Sequence, residues 1–191
     1  YEGKITFNYK EIDASFCKMI GFIKQNNDLI PSYTIEENIM AGCYFGQIDL
    51  NKKKMNKITR RLKIDKLMKR YPNELSIGQM KRVSIARALL KDAPVLLCDE
   101  PTGALHYKQA KEVMTFLKEV SEDRLVIVVS HDIELLDEYG DILIEMRNQT
   151  LHTVKEGNTN KDVLIPLHKK HFSLRYSFKE VLGERRRLAL L

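Results

Sequence analysis

The sequence predicts an α/β protein with a parallel sheet at its core. Two short, continuous apolar runs, PVLLCDE (94–100) and LVIVVSHD (125–132), each end in polar residues. Runs of this kind are typical of strands that are buried on both faces of a parallel sheet. The residues between them, 107–121, have the apolar spacing of an amphipathic helix. The order strand, helix, strand therefore predicts a right-handed βαβ unit whose strands end at the same edge of the sheet.

The other elements are predicted from the same two periodicities. Strands are expected at KITFNY (4–9) and KMIGFI (18–23), and DILIEMRNQTLHTV (141–154) predicts a hairpin that turns near Asn148-Gln149. Helices are expected to begin at Thr34, to run from about Lys52 to Arg70, and to run from Ser76 to about Lys91. Glu37 stands three residues after Thr34, which is the spacing of a capping box.

Composition indicates a globular protein whose positive charge is concentrated near its C-terminus. The chain is 43% hydrophobic and 30% charged, with a formal net charge of +6. Seven basic residues and two acids lie between 168 and 187, and the rest of the chain is close to neutral. We therefore expect no nucleic-acid partner for the body of the protein. The cysteines Cys17, Cys43 and Cys98 lack C-x-x-C spacing, which favours a reducing compartment over a disulfide or zinc scaffold.

Polar side chains follow both predicted buried strands. Asp99 and Glu100 end the first strand, and His131 follows the second. Ligands of parallel sheets bind at the carboxyl ends of the strands, so these three residues are expected at one edge. Side chains alternate along a strand, so one acid can hold Mg²⁺ through water while the other polarises a water. A neutral His131 could contact a γ-phosphate. Two solvated acids and a structural histidine are the alternative.

A possible anion site begins at Ser76. A helix start offers free N–H groups and the positive end of the helix dipole, and Ser76 adds a hydroxyl. Gly78 would let the backbone approach a ligand closely. Ordinary N-capping of the helix by Ser76 is the alternative interpretation.

Five ordered segments resemble the ATP-binding domain of ABC transporters. Leu75 to Gln79 matches the signature L-S-G-G-Q, VLLCDE the Walker B strand, EPTGALH the D-loop, His131 the switch histidine and Gln25 the Q-loop. The resemblance covers roughly residues 1–155. It implies an α/β, P-loop NTPase-like ABC ATPase domain that is incomplete, with a parallel-sheet core and a helical subdomain at about 30–90. EPTGAL most resembles the subgroup that serves permeases of the macrolide-export, lipoprotein-release and bacitracin-resistance type.

The resemblance implies ATP and Mg²⁺ as cofactors. Asp99 would hold Mg²⁺, and Gln25 would contact Mg²⁺ and the attacking water and couple the site to a permease. Glu100 would act as the general base. His131 would contact the γ-phosphate.

The same resemblance implies a dimer. Ser76, Gly78 and Gln79 would touch ATP bound on a second ABC ATPase domain. Two positions depart from the family pattern. Ile77 replaces a glycine, which would strain the backbone if that position needed a positive φ. His106 replaces the usual aspartate of the D-loop.

The largest departure is the missing phosphate loop, since no G-x-x-x-x-G-K-[ST] occurs in the 191 residues. Gly3-Lys4 is not its remnant, because a strand rather than a helix is predicted to follow. Tyr1 at the start and the apolar LALL at the end indicate a fragment whose phosphate loop would precede Tyr1. The 191 residues alone are expected to show no measurable ATP hydrolysis.

The C-terminal part predicts a link to a membrane. Residues 156–170 are expected to form a linker, and residues 171–191 have apolar residues at helical spacing with Arg and Lys opposite. Such a helix fits an anionic membrane surface, and RRR before LALL fits the residues that precede a membrane span. It resembles the first helix of a fused FtsX-like permease. A solvated terminal helix is the alternative.

Together these features predict the ATPase of a membrane transporter at the cytoplasmic face of the plasma membrane. Its ATP hydrolysis would drive export or extraction of an amphiphilic substrate. The alternatives are a catalytically idle regulatory subunit, which Ile77 and His106 leave open, and a non-transport ABC ATPase of DNA repair or translation. The short Q-loop-to-signature stretch argues against the latter.

Overall fold

A computed structural model describes residues 6–7, 10–11, 19–46, 48–147, 150–156 and 187–190. The helices are α1 (Ile35–Gly46), α2 (Lys52–Arg61), α3 (Ile77–Leu90), α4 (Tyr107–Val120) and α5 (Ile133–Tyr139). The strands are β1 (Thr6–Phe7), β2 (Lys10–Glu11), β3 (Ile20–Ile23), β4 (Val95–Asp99), β5 (Leu125–Ser130), β6 (Ile142–Arg147), β7 (Thr150–Lys155) and β8 (Arg187–Leu190). Short 3₁₀ turns cover Asp65–Leu67 and Pro72–Glu74.

The predicted α/β fold is confirmed. A six-stranded sheet has the order β3-β4-β5-β8-β6-β7. Strands β3, β4 and β5 are parallel, with Ile23 opposite Cys98 and Cys98 opposite Val128. The remaining pairs of this sheet, β5–β8, β8–β6 and β6–β7, are antiparallel. The register therefore brings the chain out of β3, β4 and β5 at the same edge of the sheet.

Helix α1 begins where the capping box of Thr34 and Glu37 predicts it. At the start of α1, the Thr34 N–H and hydroxyl both donate to Glu37 Oε2 at 2.7 Å, and the Glu37 N–H donates to Thr34 Oγ1 at 3.3 Å. In the same helix the fully buried Asn38 donates from Nδ2 to the carbonyls of Ile30, Tyr33 and Thr34. These bonds fix the loop that enters α1 against the helix itself.

The helix predicted over 52–70 ends early, at Arg61. Lys63 has a φ of 58°, a left-handed conformation that breaks the helical path. Beyond it, the carbonyls of Met68 and Arg70 accept the N–H groups of Glu36 and Ile35 at 2.9 and 2.8 Å. The end of the predicted helix therefore serves to pair the first N–H groups of α1, a tertiary role that local spacing does not indicate.

The helix predicted for 171–191 is wrong at its end. Arg187–Leu190 forms β8, which pairs with β5 on one side and β6 on the other. An extended segment there supplies partners for main-chain groups of both neighbouring strands, which would otherwise lie unpaired inside the sheet. Residues 157–170 of the predicted linker, residues 171–186 of the predicted helix and most of the strand predicted at 4–9 lie outside the described residues. No helix in the described part of the chain is long and apolar enough to cross a membrane.

Candidate functional site

The carboxyl edge of the parallel strands holds four of the predicted site residues, of which Asp99 is the last residue of β4. Gln25 lies two residues beyond Ile23 of β3, and Glu100 lies two residues beyond Cys98 of β4. Ile23 and Cys98 lie opposite each other in the sheet. His131 directly follows Ser130, the last residue of β5. The sheet register therefore brings together residues that are far apart in the sequence.

Glu100 is held from two sides by the end of β5. Its side chain is 8% exposed. The His131 N–H donates to Oε1 at 3.0 Å, and the Ser130 hydroxyl donates to Oε2 at 3.1 Å. Glu100 and His131 therefore lie close together, as predicted. The hydrogen bond between them comes from the main-chain N–H of His131 and not from its imidazole ring. A carboxylate with both oxygens engaged has a fixed direction.

The His131 imidazole lies beside this carboxylate but faces solvent. Nε2 is 3.6 Å from Glu100 Oε1, and 53% of the histidine side chain is exposed. This separation is longer than a hydrogen bond. The ring is therefore accessible to a ligand outside the edge of the sheet, while the backbone of the same residue supports Glu100.

Asp99 and Gln25 differ in exposure. Asp99 is half-buried at the end of β4, whereas the Gln25 side chain is exposed. Within the described residues, no three acids, histidines or cysteines converge as an all-protein metal site would require. The donor set still fits Mg²⁺, because this ion commonly takes one or two carboxylates and completes its shell with water and phosphate oxygens.

The start of α3 is a complete capping box. The Ser76 N–H donates to Gln79 Oε1 at 2.9 Å, and the Gln79 N–H donates to Ser76 Oγ at 3.3 Å. Ile77, 52% exposed, is helical and has no positive φ, so the strain that a non-glycine could have caused there is absent. A Cβ at Gly78 would lie 3.2 Å from Gln109 Oε1 and 3.4 Å from Leu105 Cδ2. Gly78 therefore allows a close approach of α3 to the segment after β4.

Sequence reasoning missed two side chains at this edge. Ser130 orients Glu100, and its position at the end of an apolar strand beside His131 could have indicated it. Lys81 in α3 is 1% exposed, and its Nζ donates to the carbonyls of Lys24 and Gln25 at 3.1 and 2.9 Å. Burial lowers the pKa of Lys81, and the charges of Asp99, Cys98 and Glu100 act in the opposite direction.

The parallel strands and the polar groups at their carboxyl edge place the protein in the class of α/β folds whose ligands bind at that edge. Comparison with known families narrows this class. A family model described as ABC transporter matches residues 1–103, which is more than half of the chain. The chain belongs to the ABC transporter family.

Relatives with both transport directions in their names are similar to this chain. A macrolide export ATP-binding/permease protein of Bartonella quintana is 33% identical over 195 residues, which is 95% of this chain and 29% of that protein. An aliphatic sulfonates import ATP-binding protein of Bacillus licheniformis is 37% identical over 136 residues, which is 70% of this chain and 52% of that protein. The chain thus spans about half or less of the length of these two relatives.

A solved structure shares the fold. It is a dimeric ATP-binding cassette in a post-hydrolysis state bound to ADP and Pi. It superposes with a TM-score of 0.58 at 33% identity, and the match covers 67% of this chain and 59% of that chain.

Proposed function

We propose that this protein binds and hydrolyses ATP as the energy-supplying part of a membrane transporter. The observation that carries the proposal is the Glu100 carboxylate, which is buried at the strand edge and held by Ser130 and by the His131 N–H. A fixed carboxylate with little access to bulk water is suited to accept a proton from one bound water molecule. Membership of the ABC transporter family supports ATP as the nucleotide.

Each residue at the edge has a distinct task in this proposal. Glu100 accepts the proton of the attacking water, and its two hydrogen bonds keep the carboxylate aimed while it does so. The exposed His131 ring binds the γ-phosphate on the solvent side of the edge. Asp99 and Gln25 hold Mg²⁺, which would neutralise charge on the phosphate oxygens when bound.

The start of α3 serves a second copy of the ATPase domain. Ser76, Gly78 and Gln79 contact ATP bound to the partner domain through a helix start that attracts anions. Ser76 is exposed and Gln79 is half-exposed, so each side chain is available to a ligand while it accepts from the main-chain N–H of the other residue. The dimeric state of the similar cassette supports this arrangement.

The transport step requires a permease, and we place the ATPase at the cytoplasmic face of the plasma membrane. The basic residues between 168 and 187 would attract an anionic membrane surface, each contributing about 1 kcal/mol. The macrolide export relative, whose name includes a permease, aligns with 95% of this chain and so supports a fused permease and an exported substrate. We propose that the exported or extracted substrate is amphiphilic.

Glu100→Gln in the complete gene product, reconstituted with its permease in vesicles, tests the proposal. Glutamine keeps the size of the side chain but cannot take up the proton, so ATP turnover should fall at least about 100-fold while ATP-bound dimers accumulate. Glu122→Gln, at an exposed acid remote from the edge, is the matched control and should keep full turnover. Unchanged turnover in Glu100→Gln would sink the proposed enzyme.

The 191 residues by themselves should not hydrolyse ATP measurably. They contain the carboxylates and the signature but no phosphate loop to hold the β- and γ-phosphates. Release of phosphate from Mg-ATP, with the Glu100→Gln chain as background, measures this. Turnover that disappears in Glu100→Gln would show that a phosphate site lies within these residues.

A regulatory subunit is the second candidate, and the observation that favours it is the D-loop. His106 occupies the N-cap of α4 without a side-chain capping bond. Such a subunit would lend only its α3 start to a competent partner domain. In that case Ser76→Ala would lower the turnover of a mixed dimer, whereas Glu100→Gln would leave it unchanged.

A further inference from the structure

One face of α3 is bonded to the main chain of the segment after β3. Lys81, Ser84 and Arg87 follow one another at intervals of three residues along the helix. Ser84 Oγ donates to the Asn27 carbonyl at 2.8 Å, and Arg87 donates to the carbonyls of Asn27 and Asp28 at 3.0 and 2.8 Å. With the two bonds of Lys81, three side chains engage four carbonyls of residues 24–28.

Of Lys81, Ser84 and Arg87, Lys81 lies nearest to the carboxyl edge of the parallel strands. Its side chain is almost fully buried, and its ammonium group binds the carbonyls of Lys24 and Gln25 at 3.1 and 2.9 Å. A buried ammonium group is costly unless its N–H donors are used. The two carbonyls use two of those donors, so the cation and the loop stabilise each other.

The hydrogen bond from Lys81 fixes the backbone of Gln25 and not its side chain. The Gln25 side chain is exposed, so its position depends on where its backbone is fixed. Lys81 lies in α3, five residues beyond the N-cap Ser76. The helix therefore connects its own start, which we propose faces the partner domain, to the loop that carries Gln25. A shift of α3 would therefore move Gln25 relative to Glu100.

We propose that Lys81 is a positioning residue for hydrolysis, which holds the backbone of Gln25 at the strand edge and ties it to the signature helix. The inference rests on the proposed function, because Gln25 matters only if ATP is hydrolysed there. Misplacement of a reacting group by about 1 Å can cost about 100-fold in rate. Lys81 acts on kcat through Gln25 and makes no contact with the nucleotide.

The test compares Lys81→Met with Lys91→Met in the complete gene product. Lys91 lies at the other end of α3, and its Nζ donates to the Ile20 carbonyl at the amino end of the same strand, at 2.8 Å. Lys81→Met should lower kcat about 10- to 100-fold and change the KM for ATP by less than about threefold. Lys91→Met removes the same kind of bond away from the edge and should leave kcat unchanged.

A double-mutant cycle separates positioning from general destabilisation. If Lys81 acts through Gln25, adding Lys81→Met to Gln25→Ala should lower kcat by less than about threefold further. Full additivity of the two substitutions would overturn the inference. Lys81→Gln keeps an N–H donor on a neutral side chain, and the same cycle is run on it should the methionine variant fail to fold.

Failure of this inference is distinguishable from failure of the proposed function. If Glu100→Gln abolishes turnover while Lys81→Met behaves like Lys91→Met, the enzyme stands and the role of Lys81 is overturned. If Glu100→Gln retains full turnover, the proposed function fails, and the inference fails with it.

Discussion

The turn that carries Glu100 is built from residues in an uncommon backbone conformation. Glu100 has a φ of 46° and Ala104 a φ of 63°. A left-handed conformation costs a non-glycine residue about 1–2 kcal/mol. The Glu100 N–H donates to the Val129 carbonyl at 2.9 Å, and its own carbonyl accepts the Gly103 N–H at 3.2 Å. These bonds retain a strained conformation that turns the carboxylate towards the end of β5, as is common where a side chain has a chemical task.

Ser130→Ala tests how far the orientation of Glu100 depends on the neighbouring strand. The substitution removes the 3.1 Å bond to Glu100 Oε2 and the acceptor of the Asp132 N–H. Since the bond to His131 remains, we expect turnover of the complete gene product to fall about 10-fold rather than to vanish. We also expect the free energy of unfolding to fall by about 1–3 kcal/mol, measured by urea denaturation.

The matched control for this variant is Ser121→Ala. Ser121 Oγ donates to the Lys118 carbonyl at 2.7 Å at the end of α4, remote from the edge. It should reproduce part of the stability loss and none of the activity loss. Equal turnover in both serine variants would mean that one bond from His131 suffices to orient the carboxylate.

At the level of secondary structure, the helices differ in how their N-termini are capped. Helices α1 and α3 begin with reciprocal capping boxes made by Thr34 with Glu37 and by Ser76 with Gln79. Helix α4 begins at His106 with no side-chain cap and no acid in its first turn. Its first N–H groups therefore lack the side-chain acceptor that the four other α-helices have.

His106→Asp should repair the start of α4. An aspartate at the N-cap accepts an N–H of the first turn and places a negative charge at the positive end of the helix dipole. The free energy of unfolding should rise by about 1 kcal/mol, measured by urea denaturation of the 191-residue chain. His106→Ala should leave stability close to that of the original chain. A loss of stability in His106→Asp would show that the imidazole has a role that its lack of a capping bond conceals.

The elements that the sequence predicted are those specified by local patterns. Strands β4 and β5 follow from continuous apolar runs, and α1 and α3 follow from their caps. The early end of α2 and the strand β8 were not predictable in this way, because both depend on hydrogen bonds to residues distant in the chain.

Some residues of the candidate site could likewise be predicted from local patterns, and others could not. Glu100 and His131 could be found because each follows an apolar run that predicts a strand end, and Gln25 could be found through its match to the Q-loop. Lys81 could not, since a lysine in a helix is normally exposed to solvent. Only the packing of α3 against the loop after β3 shows that it is buried.

In the molecule as a whole, the largest hydrophobic cluster contains side chains of both the helices and the sheet. The cluster includes Ile39 and Cys43 of α1, Val83 of α3, Cys98 of β4 and Leu117 of α4. A second, smaller cluster of Val95, Ile127 and Val129 belongs to the sheet alone. The larger cluster contains side chains of both layers, packed against one another. We therefore expect the two layers to unfold together.

The buried thiols of Cys43 and Cys98 report on this cooperativity. Burial raises the pKa of both thiols, and the charge of Lys54 partly opposes this at Cys43. Both should therefore resist iodoacetamide at neutral pH, because the thiolate is the reactive form. In a urea series followed by mass spectrometry of the alkylated peptides, both should become reactive at the same midpoint. Labelling of Cys43 at a lower urea concentration than Cys98 would show that α1 separates from the sheet before the sheet unfolds.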